Sequence, residues 1–362
     1  MHEGPTIGLD VTQAVKRRGR GIARYIRQVV AARPAGALSA ELYIRDHRWL
    51  KRALIDDLAP ELPRRWLASP LGLRAPRPDL LHGFGNHLPQ REKIPLSFTV
   101  HDVRALDQPA GYEGKARLER NIQRANGIIC LTEYGKTRLA HHFPRLQDKV
   151  VHVIPHGVDH DLFYPRPEEE VASISQRYGL QRPYLVQLGS WFPHKNLELS
   201  VRSWRQSQAA EEGLDLVFIG GAAPEAYRQE LLKLAGPLRE RMHWIEHAPA
   251  PDLPALLSGA RCLLQPSRYE GFALPLLEAM AVGLPGVVSN ASCLPEVSAG
   301  LWPVADVEDV ATFSQGLDRM ALDDAARSDV SRKGLAYARN FTWERTAGAN
   351  EAFFSAVLQA RG

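Results

Sequence analysis

Short apolar runs alternate with loops and helical patterns along the chain, and this alternation constrains the fold more than any other feature. In the first half, the strand candidate TIGLDV at Thr6–Val11 precedes helically spaced apolar residues in GIARYIRQVVAARP, and similar pairs continue to KVVHVIPHGVDHDLF. The alternation restarts after YPRPEEEVAS with the strand candidates RPYLVQLGS, LDLVFIGG, MHWIEHA, RCLLQPS and PGVVSN. The pattern predicts an α/β fold made of two doubly wound, Rossmann-like parallel sheets.

The length of the chain agrees with this organisation. A chain of 362 residues suits two domains of ordinary size, and the polar, proline-rich stretch around Pro165–Glu170 predicts a linker between them. Open parallel sheets bind ligands beyond the carboxyl ends of their strands. Two such domains facing each other across a cleft would therefore place many of their loops at one shared site.

The composition excludes several classes of protein. Hydrophobic residues make up 44% of the chain and charged residues 24%, as in soluble globular proteins, and no apolar run approaches the ~20 residues of a membrane-spanning helix. The opening MHEGPTIGLDVTQ has no basic segment followed by an apolar core, so no secretory signal is expected. The distant cysteines Cys130, Cys262 and Cys293 predict reduced core residues of a cytoplasmic protein, with neither disulfide nor metal spacing.

Charge is unevenly distributed. Residues 1–78 carry 15 Lys and Arg against 7 Asp and Glu, although the net charge of the whole chain is only +4. Trp49, Leu50, Leu54 and Trp66 interleave with the basic residues of this segment. The ordinary interpretation is a solvated basic face, and the alternative is peripheral contact with an anionic membrane or a pyrophosphate-linked acceptor. Nucleic acid is not an expected partner, because no nucleic-acid-binding module is visible.

The stretch RYEGFALPLLEAMAVGLPGVVSN places two carboxylates among apolar residues, where an uncompensated charge is costly. Pro275 suits the first turn of a helix and Gly283 suits its end. The backbone N–H groups of Phe272–Leu276 then form an anion site that fits a diphosphate. Glu270 precedes this site and would meet hydroxyls near the phosphates, whereas Glu278 would accept hydrogen bonds from a ribose diol. For either residue alone, a helix cap or a solvated helix position is the ordinary alternative.

This stretch resembles the E-x(7)-E signature of the retaining GT-B glycosyltransferases of family 4, and further resemblances follow in order along nearly the whole chain. GRGIARYIRQVV is similar to the Gly-rich loop and helix of that family, TVHDV to its acceptor-side loop, and LTEYGKTRL to its Ser/Thr-containing strand end. VIPHGVD resembles the segment before its linker, and LGSWFPHKNLE resembles its phosphate-binding G-x-x-x-x-R-K-N segment. FTWERTA resembles its C-terminal helix, which crosses back onto the N-terminal domain.

The resemblance implies three regions. These are an acceptor-side Rossmann-like domain over 1–166, a nucleotide-sugar-binding domain over 167–340, and the crossing helix over 341–362. Lys195 is then the cation that meets the diphosphate, with the Phe272–Leu274 amides as its partners. Ser190 stands where many members have an arginine, and His194 replaces the arginine before the lysine, so a second cation is not identified. No metal is expected, since Lys195 and the helix amides would supply the positive potential and no D-x-D motif occurs.

Other site residues also follow from the resemblance. His101 would orient the donor sugar, Gly19 and Gly21 would let the backbone approach the diphosphate, and His247 and Ala248 would line the base pocket. Thr132 would touch donor or acceptor. The predicted catalytic residues are His101, Lys195 and Glu270. The predicted donor-binding residues are Gly19, Gly21, Ser190, Lys195, His247, Ala248, Glu270, Gly271, Phe272, Ala273, Leu274 and Glu278.

Residues of two further segments are noted, and the first of them has two open interpretations. HGFGNHLP places His82, Asn86 and His87 where they would bind sugar hydroxyls of the acceptor, or where they would form a structural turn. Ala273 replaces the commoner glycine of E-G-F-G-L-P, and its methyl group would narrow the donor pocket.

The predicted function is retaining transfer of a hexose, mannose or a related deoxyhexose, from a nucleotide diphosphate sugar to a glycan or lipid-linked glycan. The resemblance to bacterial mannosyl- and rhamnosyltransferases of surface polysaccharide synthesis favours a GDP-sugar donor, and no separate cofactor is expected. The alternatives are a UDP-sugar-dependent transferase of glucose or N-acetylglucosamine, and a nucleotide-sugar epimerase or hydrolase on the same fold. A non-catalytic scaffold would require broken motifs, but Lys195, Glu270 and Glu278 are all present.

Overall fold

The computed structural model describes residues 4–15, 21–45, 48, 51–67, 77–86, 88, 94–108, 114–221 and 223–360. Its contacts divide the chain into two units. The first consists of Met1–Gly157 together with Trp343–Gly362, and the second is Val158–Thr342.

The first unit is built on a parallel sheet. Its described strands follow the order β3-β2-β1-β4-β5-β6-β7, and every neighbouring pair is parallel. The order reverses beside β1, as in doubly wound sheets. The strands are β1 Thr6–Asp10, β2 Ser39–Arg45, β3 Arg64–Leu67, β4 Leu80–Gly83, β5 Leu96–Val100, β6 Gly127–Cys130 and β7 Val150–Val153.

Helices connect these strands. The first helix buries Tyr25, Ile26, Val29 and Val30, which recur at helical spacing, against the sheet. Short 3₁₀ turns complete the connections at Thr12–Ala14, Arg52–Ile55 and Pro144–Asp148. The described helices are α1 Gly21–Ala31, α2 Arg104–Asp107, α3 Lys115–Arg124 and α4 Glu133–His142.

The second unit repeats the plan. Its described strands are all parallel and follow the order β10-β9-β8-β11-β12-β13, which reverses between β8 and β11. The sequence prediction of two doubly wound parallel sheets is therefore confirmed. The strands are β8 Tyr184–Ser190, β9 Asp215–Gly221, β10 Met242–Glu246, β11 Cys262–Gln265, β12 Gly286–Ser289 and β13 Val304–Ala305.

The segment that the sequence predicts as a linker differs in the structure. Glu168 begins a helix that continues to Arg177, and the second unit begins earlier, at Val158, rather than at residue 167. Pro167 precedes the helix, and Glu168, Glu169 and Glu170 occupy its first turn, where the helix dipole favours acidic side chains. Proline and acidic residues thus mark a helix start as well as a loop.

The remaining connections of the second unit are helical. Short 3₁₀ turns lie at Pro193–Lys195, Gly236–Arg241 and Ala250–Asp252. The described helices are α5 Glu168–Arg177, α6 Leu197–Arg205, α7 Gln208–Glu211, α8 Glu225–Ala235, α9 Leu253–Ser258, α10 Leu274–Ala281, α11 Leu294–Val297, α12 Val310–Leu322 and α13 Asp324–Ala338.

The C-terminal helix α14, Trp343–Gln359, packs in the first unit against α1 and β7. Phe353 and Val357 lie over the start of β6, where a Cβ on Gly127 would come within 2.4 Å of Val357 Cγ2. Only glycine fits there without displacing the helix. Arg33 and Glu351 add a nearly buried ion pair of 2.7 Å between α14 and the segment that follows α1.

The prediction that the three cysteines are core residues is confirmed. Cys130, Cys262 and Cys293 are buried, and none forms a disulfide. No helix in the described part of the chain has both the length and the apolar character needed to cross a membrane.

Candidate functional site

Lys195 and Glu270 meet at the switch point of the second sheet. The strands β8 and β11 are neighbours there, and the chain leaves them in opposite directions, which opens a crevice at their carboxyl ends. Lys195 lies in the 3₁₀ turn that follows β8, and Glu270 lies in the loop that follows β11. Although 75 residues separate them, Lys195 Nζ donates to Glu270 Oε1 at 2.5 Å.

This ion pair is largely shielded from water, since the two side chains are only 13% and 11% exposed. Charges at such depth attract each other more strongly than on the surface. Gln187 on β8 holds the lysine end, because its Nε2 donates to the Lys195 carbonyl at 2.9 Å. On the glutamate end, the Glu270 N–H donates to Ser292 Oγ at 2.9 Å.

Two glycines leave space beside the lysine. Gly189 has a φ of 137°, and a Cβ there would stand 3.9 Å from Lys195 Nζ. A Cβ on Gly220 would come within 1.7 Å of the Gly189 carbonyl oxygen, so no other residue fits at the end of β9. The close approach of β8 and β9 therefore depends on glycine at 220, a position that the sequence analysis did not single out.

The N-terminus of α10 adds backbone donors next to Glu270. Gly271, Ala273 and Leu274 have N–H groups that donate to no residue in the described part of the chain. The sequence analysis included Leu276 among the unused donors, and that was wrong, because its N–H already bonds to the Ala273 carbonyl at 2.9 Å. Unused N–H groups and the helix dipole favour an anion at this position.

Ala273 has a left-handed backbone conformation with φ 62° and ψ 57°. This region is strained for residues with a Cβ and comfortable for glycine. Ala273 is 6% exposed and Phe272 is 5% exposed, so the turn before the helix is packed rather than loose.

Glu278 lies one turn into α10 and is only 3% exposed. The alternative of a solvated helix position is therefore wrong for this residue. Burial of a carboxylate requires compensating partners.

The remaining predicted residues of the second unit lie at strand ends. Ser190 is the last residue of β8 and is half-buried. His247 follows β10, is exposed, has a φ of 57°, and donates its N–H to the Gly220 carbonyl at 2.9 Å, with half-buried Ala248 next to it. They share the carboxyl edge of the sheet with Lys195 and Glu270.

In the first unit, His101 directly follows β5. Its Nε2 donates to the Phe84 carbonyl at 2.7 Å, and the Tyr25 ring packs edge-on against it at 5.2 Å. Burial lowers the pKa of His101 to about 4, although the Phe84 carbonyl opposes that shift. The imidazole is therefore neutral at pH 7, with Nδ1 as its remaining acceptor.

His82 has a structural role. It is fully buried on β4 and shares hydrogen bonds with Ser97 Oγ at 2.9 Å and Thr99 Oγ1 at 3.2 Å. Burial, followed by the proximity of His101, lowers its pKa to about 3. The hypothesis that His82 binds sugar hydroxyls is wrong, because its ring nitrogens are already engaged within the core.

Thr132 also serves the fold, since its Oγ1 accepts from the Gly135 N–H at 3.0 Å and caps α4. The backbone carbonyl oxygen of half-buried Asn86 accepts a hydrogen bond from Asn121 Nδ2 at 3.0 Å. At Gly21, the first residue of α1, nothing lies within 4 Å of a Cβ position, so the protein's own packing does not require glycine. Gly19 and His87 lie outside the described residues.

The sequence analysis missed the polar residues beneath Glu270. Gln265 and Ser267 are both fully buried, and Gln265 Nε2 and Ser267 Oγ donate to Glu270 Oε1 at 2.8 and 2.7 Å. Gln265 at the end of the apolar strand RCLLQPS is the signal that would have found them, because a buried amide needs partners.

Two protein-family models match the chain, one in each half. The family model "Glycosyltransferase Family 4" matches residues 19–162, and the model "Glycosyl transferases group 1" matches residues 171–336. The chain belongs to the family 4 and group 1 glycosyltransferases. The first match lies almost entirely within the first unit, and the second lies within the second unit.

Two curated relatives show the kinship of this glycosyltransferase. O-antigen chain mannosyltransferase B of Escherichia coli is 29% identical over 276 residues, which cover 73% of this chain and 71% of the relative. A GDP-mannose-dependent alpha-(1-6)-phosphatidylinositol monomannoside mannosyltransferase of Mycolicibacterium smegmatis is 26% identical, over 94% of this chain and 96% of the relative.

Solved structures agree on the fold. Sucrose-phosphate synthase from Thermosynechococcus elongatus superposes with a TM-score of 0.75 at 19% identity and covers 98% of this chain and 100% of that one. HepE of Anabaena in complex with UDP and glucose has a TM-score of 0.74 at 15% identity, with coverage of 98% and 100%. At these identities the likeness extends to the GT-B fold and no further.

Proposed function

We propose that this glycosyltransferase moves mannose or a related deoxyhexose from a GDP-sugar to a glycan or lipid-linked glycan, with retention of configuration. The observation that carries the proposal is the Lys195–Glu270 pair at the switch point, next to the unused N–H groups at the start of α10. A cation and a helix N-terminus suit a diphosphate, and a carboxylate suits sugar hydroxyls.

The proposed reaction breaks the bond between the anomeric carbon and the diphosphate and forms a bond from that carbon to an acceptor oxygen. The acceptor proton passes to the departing phosphate oxygen on the same face of the sugar. Negative charge grows on the diphosphate during this step, and Lys195 with the Ala273 and Leu274 amides would stabilise it. Glu270 would hold sugar hydroxyls, and Glu278 would hold the ribose diol.

His101 would orient the donor sugar as a neutral group. Its lowered pKa and its bond to the Phe84 carbonyl support this role, because a neutral ring neither attracts nor repels the developing oxocarbenium charge. The proposed base pocket consists of His247 and Ala248, at the carboxyl edge that also carries Lys195.

The choice of GDP rests on the relatives. The Mycolicibacterium relative is named as GDP-mannose-dependent and the Escherichia coli relative as a mannosyltransferase. A UDP-sugar donor is the second candidate, favoured by the solved HepE complex with UDP and glucose. A thermal-shift screen against GDP-, UDP-, ADP- and dTDP-sugars separates the two: stabilisation by GDP-mannose supports the proposal, and stabilisation by UDP-sugars alone overturns the mannose assignment.

Retention and transfer are tested on the product. Proton NMR of the first-formed glycoside should give the anomeric configuration of the donor, and inversion would contradict the proposed mechanism. Conversion of the donor at the same rate with and without acceptor would instead favour the hydrolase or epimerase alternative.

We also propose that the reaction needs no metal, because Lys195 and the α10 amides can supply the positive potential. Activity should be unchanged in EDTA, and a loss that Mg²⁺ or Mn²⁺ restores would contradict this proposal.

Contact with an anionic membrane is proposed from the basic excess in residues 1–78. Several of these arginines are already paired, Arg27 with Asp57, Arg65 with Glu41 and Arg45 with Asp10, which limits the charge available to lipid. Vesicles containing phosphatidylglycerol should sediment the protein at low salt and release it at high salt. Indifference to lipid charge would indicate a solvated face.

A further inference from the structure

We propose that Gln265 and Ser267 are positioning residues that reserve one oxygen of Glu270 for the donor sugar. This inference rests on the proposed function and deepens it. Both side chains are fully buried beneath the loop that carries Glu270. Neither is expected to touch the donor, so they act through the carboxylate.

The two oxygens of Glu270 are treated unequally. Oε1 accepts three hydrogen bonds, from Lys195 Nζ at 2.5 Å, Gln265 Nε2 at 2.8 Å and Ser267 Oγ at 2.7 Å. Oε2 accepts none from the described residues. A carboxylate held so firmly by one oxygen keeps the other in a fixed direction, where it can accept from a hydroxyl group.

The direction of the hydrogen bonds is set by Gln265. Its Nε2 donates both to Glu270 Oε1 and to Ser267 Oγ, the second at 2.9 Å. Ser267 therefore uses its lone pair for Gln265 and its single proton for Glu270. Because the hydroxyl proton of Ser267 is donated to Glu270 Oε1, rotation of the hydroxyl group away from Glu270 would break this hydrogen bond.

Burial of the Gln265 amide has an energetic cost that its packing does not explain. Its own Oε1 is buried and accepts no hydrogen bond among the described residues. Unpaired buried carbonyl oxygens are unfavourable. Rotating the amide would place this oxygen against the negative Glu270, so the carboxylate fixes the unfavourable orientation. We infer that the arrangement serves the orientation of Glu270 rather than the stability of the unit.

The proposed positioning role predicts different effects on the binding of GDP and of GDP-mannose, which differ only in the sugar. Glu270 faces the sugar in the proposed site, whereas Glu278 and the base pocket meet the nucleoside. Loss of the positioning residues should therefore weaken binding of GDP-mannose and leave binding of GDP almost unchanged. A merely structural role would weaken both ligands alike.

The experiment measures GDP and GDP-mannose affinities by calorimetry for wild type, Gln265→Met and Ser267→Ala. Methionine keeps the approximate volume of Gln265 and removes the whole side-chain amide, both its NH2 group and its unpaired carbonyl oxygen. The melting temperature should therefore not fall. We expect the GDP-mannose affinity to fall about 10-fold, since hydrogen bonds to a charged group are strong. The GDP affinity should stay within about twofold.

Ser203→Ala is the matched control, because Ser203 is equally buried in the same unit and, among the described residues, its hydroxyl donates only to the Val310 carbonyl at 3.3 Å. Equal ratios of the two affinities in wild type and both variants would overturn the inference alone. Parallel loss of both ligands with a lower melting temperature would also overturn it, in favour of a structural role. Failure of wild type to bind any nucleotide or nucleotide-sugar in the screen would overturn the proposed function itself.

If the screen selects a UDP-sugar, the same comparison is made with UDP and UDP-glucose. The predicted ratio is unchanged, because the inference concerns the sugar and not the base.

Discussion

The predicted site residues of the two units differ in charge: the described ones of the first unit are neutral, and those of the second include an ion pair. In the first unit, His101 lies among buried aromatic and histidine side chains, with Tyr25 at 5.2 Å and His156 at 5.9 Å between ring centres, and burial lowers the pKa of His101 and His156. In the second unit, Lys195 and Glu270 form an ion pair supported by buried amide and hydroxyl groups. Among the predicted site residues described above, His101 of the first unit is neutral at pH 7, whereas Lys195 and Glu270 of the second unit form an ion pair.

The difference follows from the partners that each fold supplies. His82 and His101 meet hydroxyl and carbonyl groups, which satisfy a neutral imidazole but do not compensate a positive one. Lys195 and Glu270 compensate each other. A transferase that stabilises a departing diphosphate needs fixed charge at that position, and in the proposed mechanism the second unit supplies it.

The largest expected effect tests the charged side of the comparison. Lys195→Ala should lower kcat/KM about 100-fold, because it removes the cation that meets the growing phosphate charge. The measurement is transfer from the donor that the screen identifies. Lys333→Ala is the control, since Lys333 is half-exposed and pairs only with Asp329 in the described structure. Full activity with a lowered melting temperature would make Lys195 a structural residue.

The next largest effect concerns the buried, neutral histidines of the first unit and the dependence of stability on pH. The pKa of His82 is about 3 in the folded protein, against about 6.5 in an unfolded chain. The unfolded state therefore takes up the proton first, and stability is lost as the pH falls from about 6.5 towards 3. Between pH 7.5 and 5, this histidine alone should lower the free energy of unfolding by about 2 kcal/mol.

Urea denaturation at pH 7.5 and pH 5 measures this effect. His82→Gln should reduce the difference in stability between the two pH values, whereas exposed His141→Gln should not. An unchanged difference in the His82 variant would show that other groups govern the acid sensitivity of the first unit.

A smaller effect sharpens the assignment within the charged unit. Glu278→Gln should weaken GDP binding by about 1–2 kcal/mol, because the amide cannot accept two charge-assisted hydrogen bonds from the ribose diol. The loss should be smaller with 2′-deoxy-GDP, which lacks one of the hydroxyls. Exposed Glu240→Gln serves as control. Equal losses with both nucleotides would remove the ribose role.

The smallest effect concerns strain beside the charged site. Ala273→Gly should raise the free energy of unfolding by about 0.5–1 kcal/mol, since glycine adopts the left-handed conformation at φ 62° without strain. Chemical denaturation of the two proteins measures the difference. A decrease in stability would mean that the buried methyl group contributes more through packing than it costs in strain.

Much of the fold was predictable from particular patterns. The helix over Leu253–Ser258 and the helix after Pro275 follow from apolar spacing and from the positional preference of proline. The linker prediction at Pro165–Glu170 failed because proline and acidic residues also begin helices, and the sequence does not show which of the two roles applies. His82 and Thr132 were ambiguous for a similar reason, since a polar residue at a strand end can face either a ligand or the core.

The sequence by itself determined the two doubly wound sheets and the polar and charged residues that follow their strands. These depend on periodicity, helix starts and glycine, which act over a few neighbouring residues. Only the tertiary structure decided that Lys195 and Glu270 share a hydrogen bond, that Gln265 and Ser267 lie beneath it, and that His82 is part of the core. The Lys195–Glu270 and His82–Ser97 contacts join segments that are distant in the sequence. Gln265 and Ser267 are close to Glu270 in the sequence, but their burial depends on how the strands pack, which local sequence does not encode.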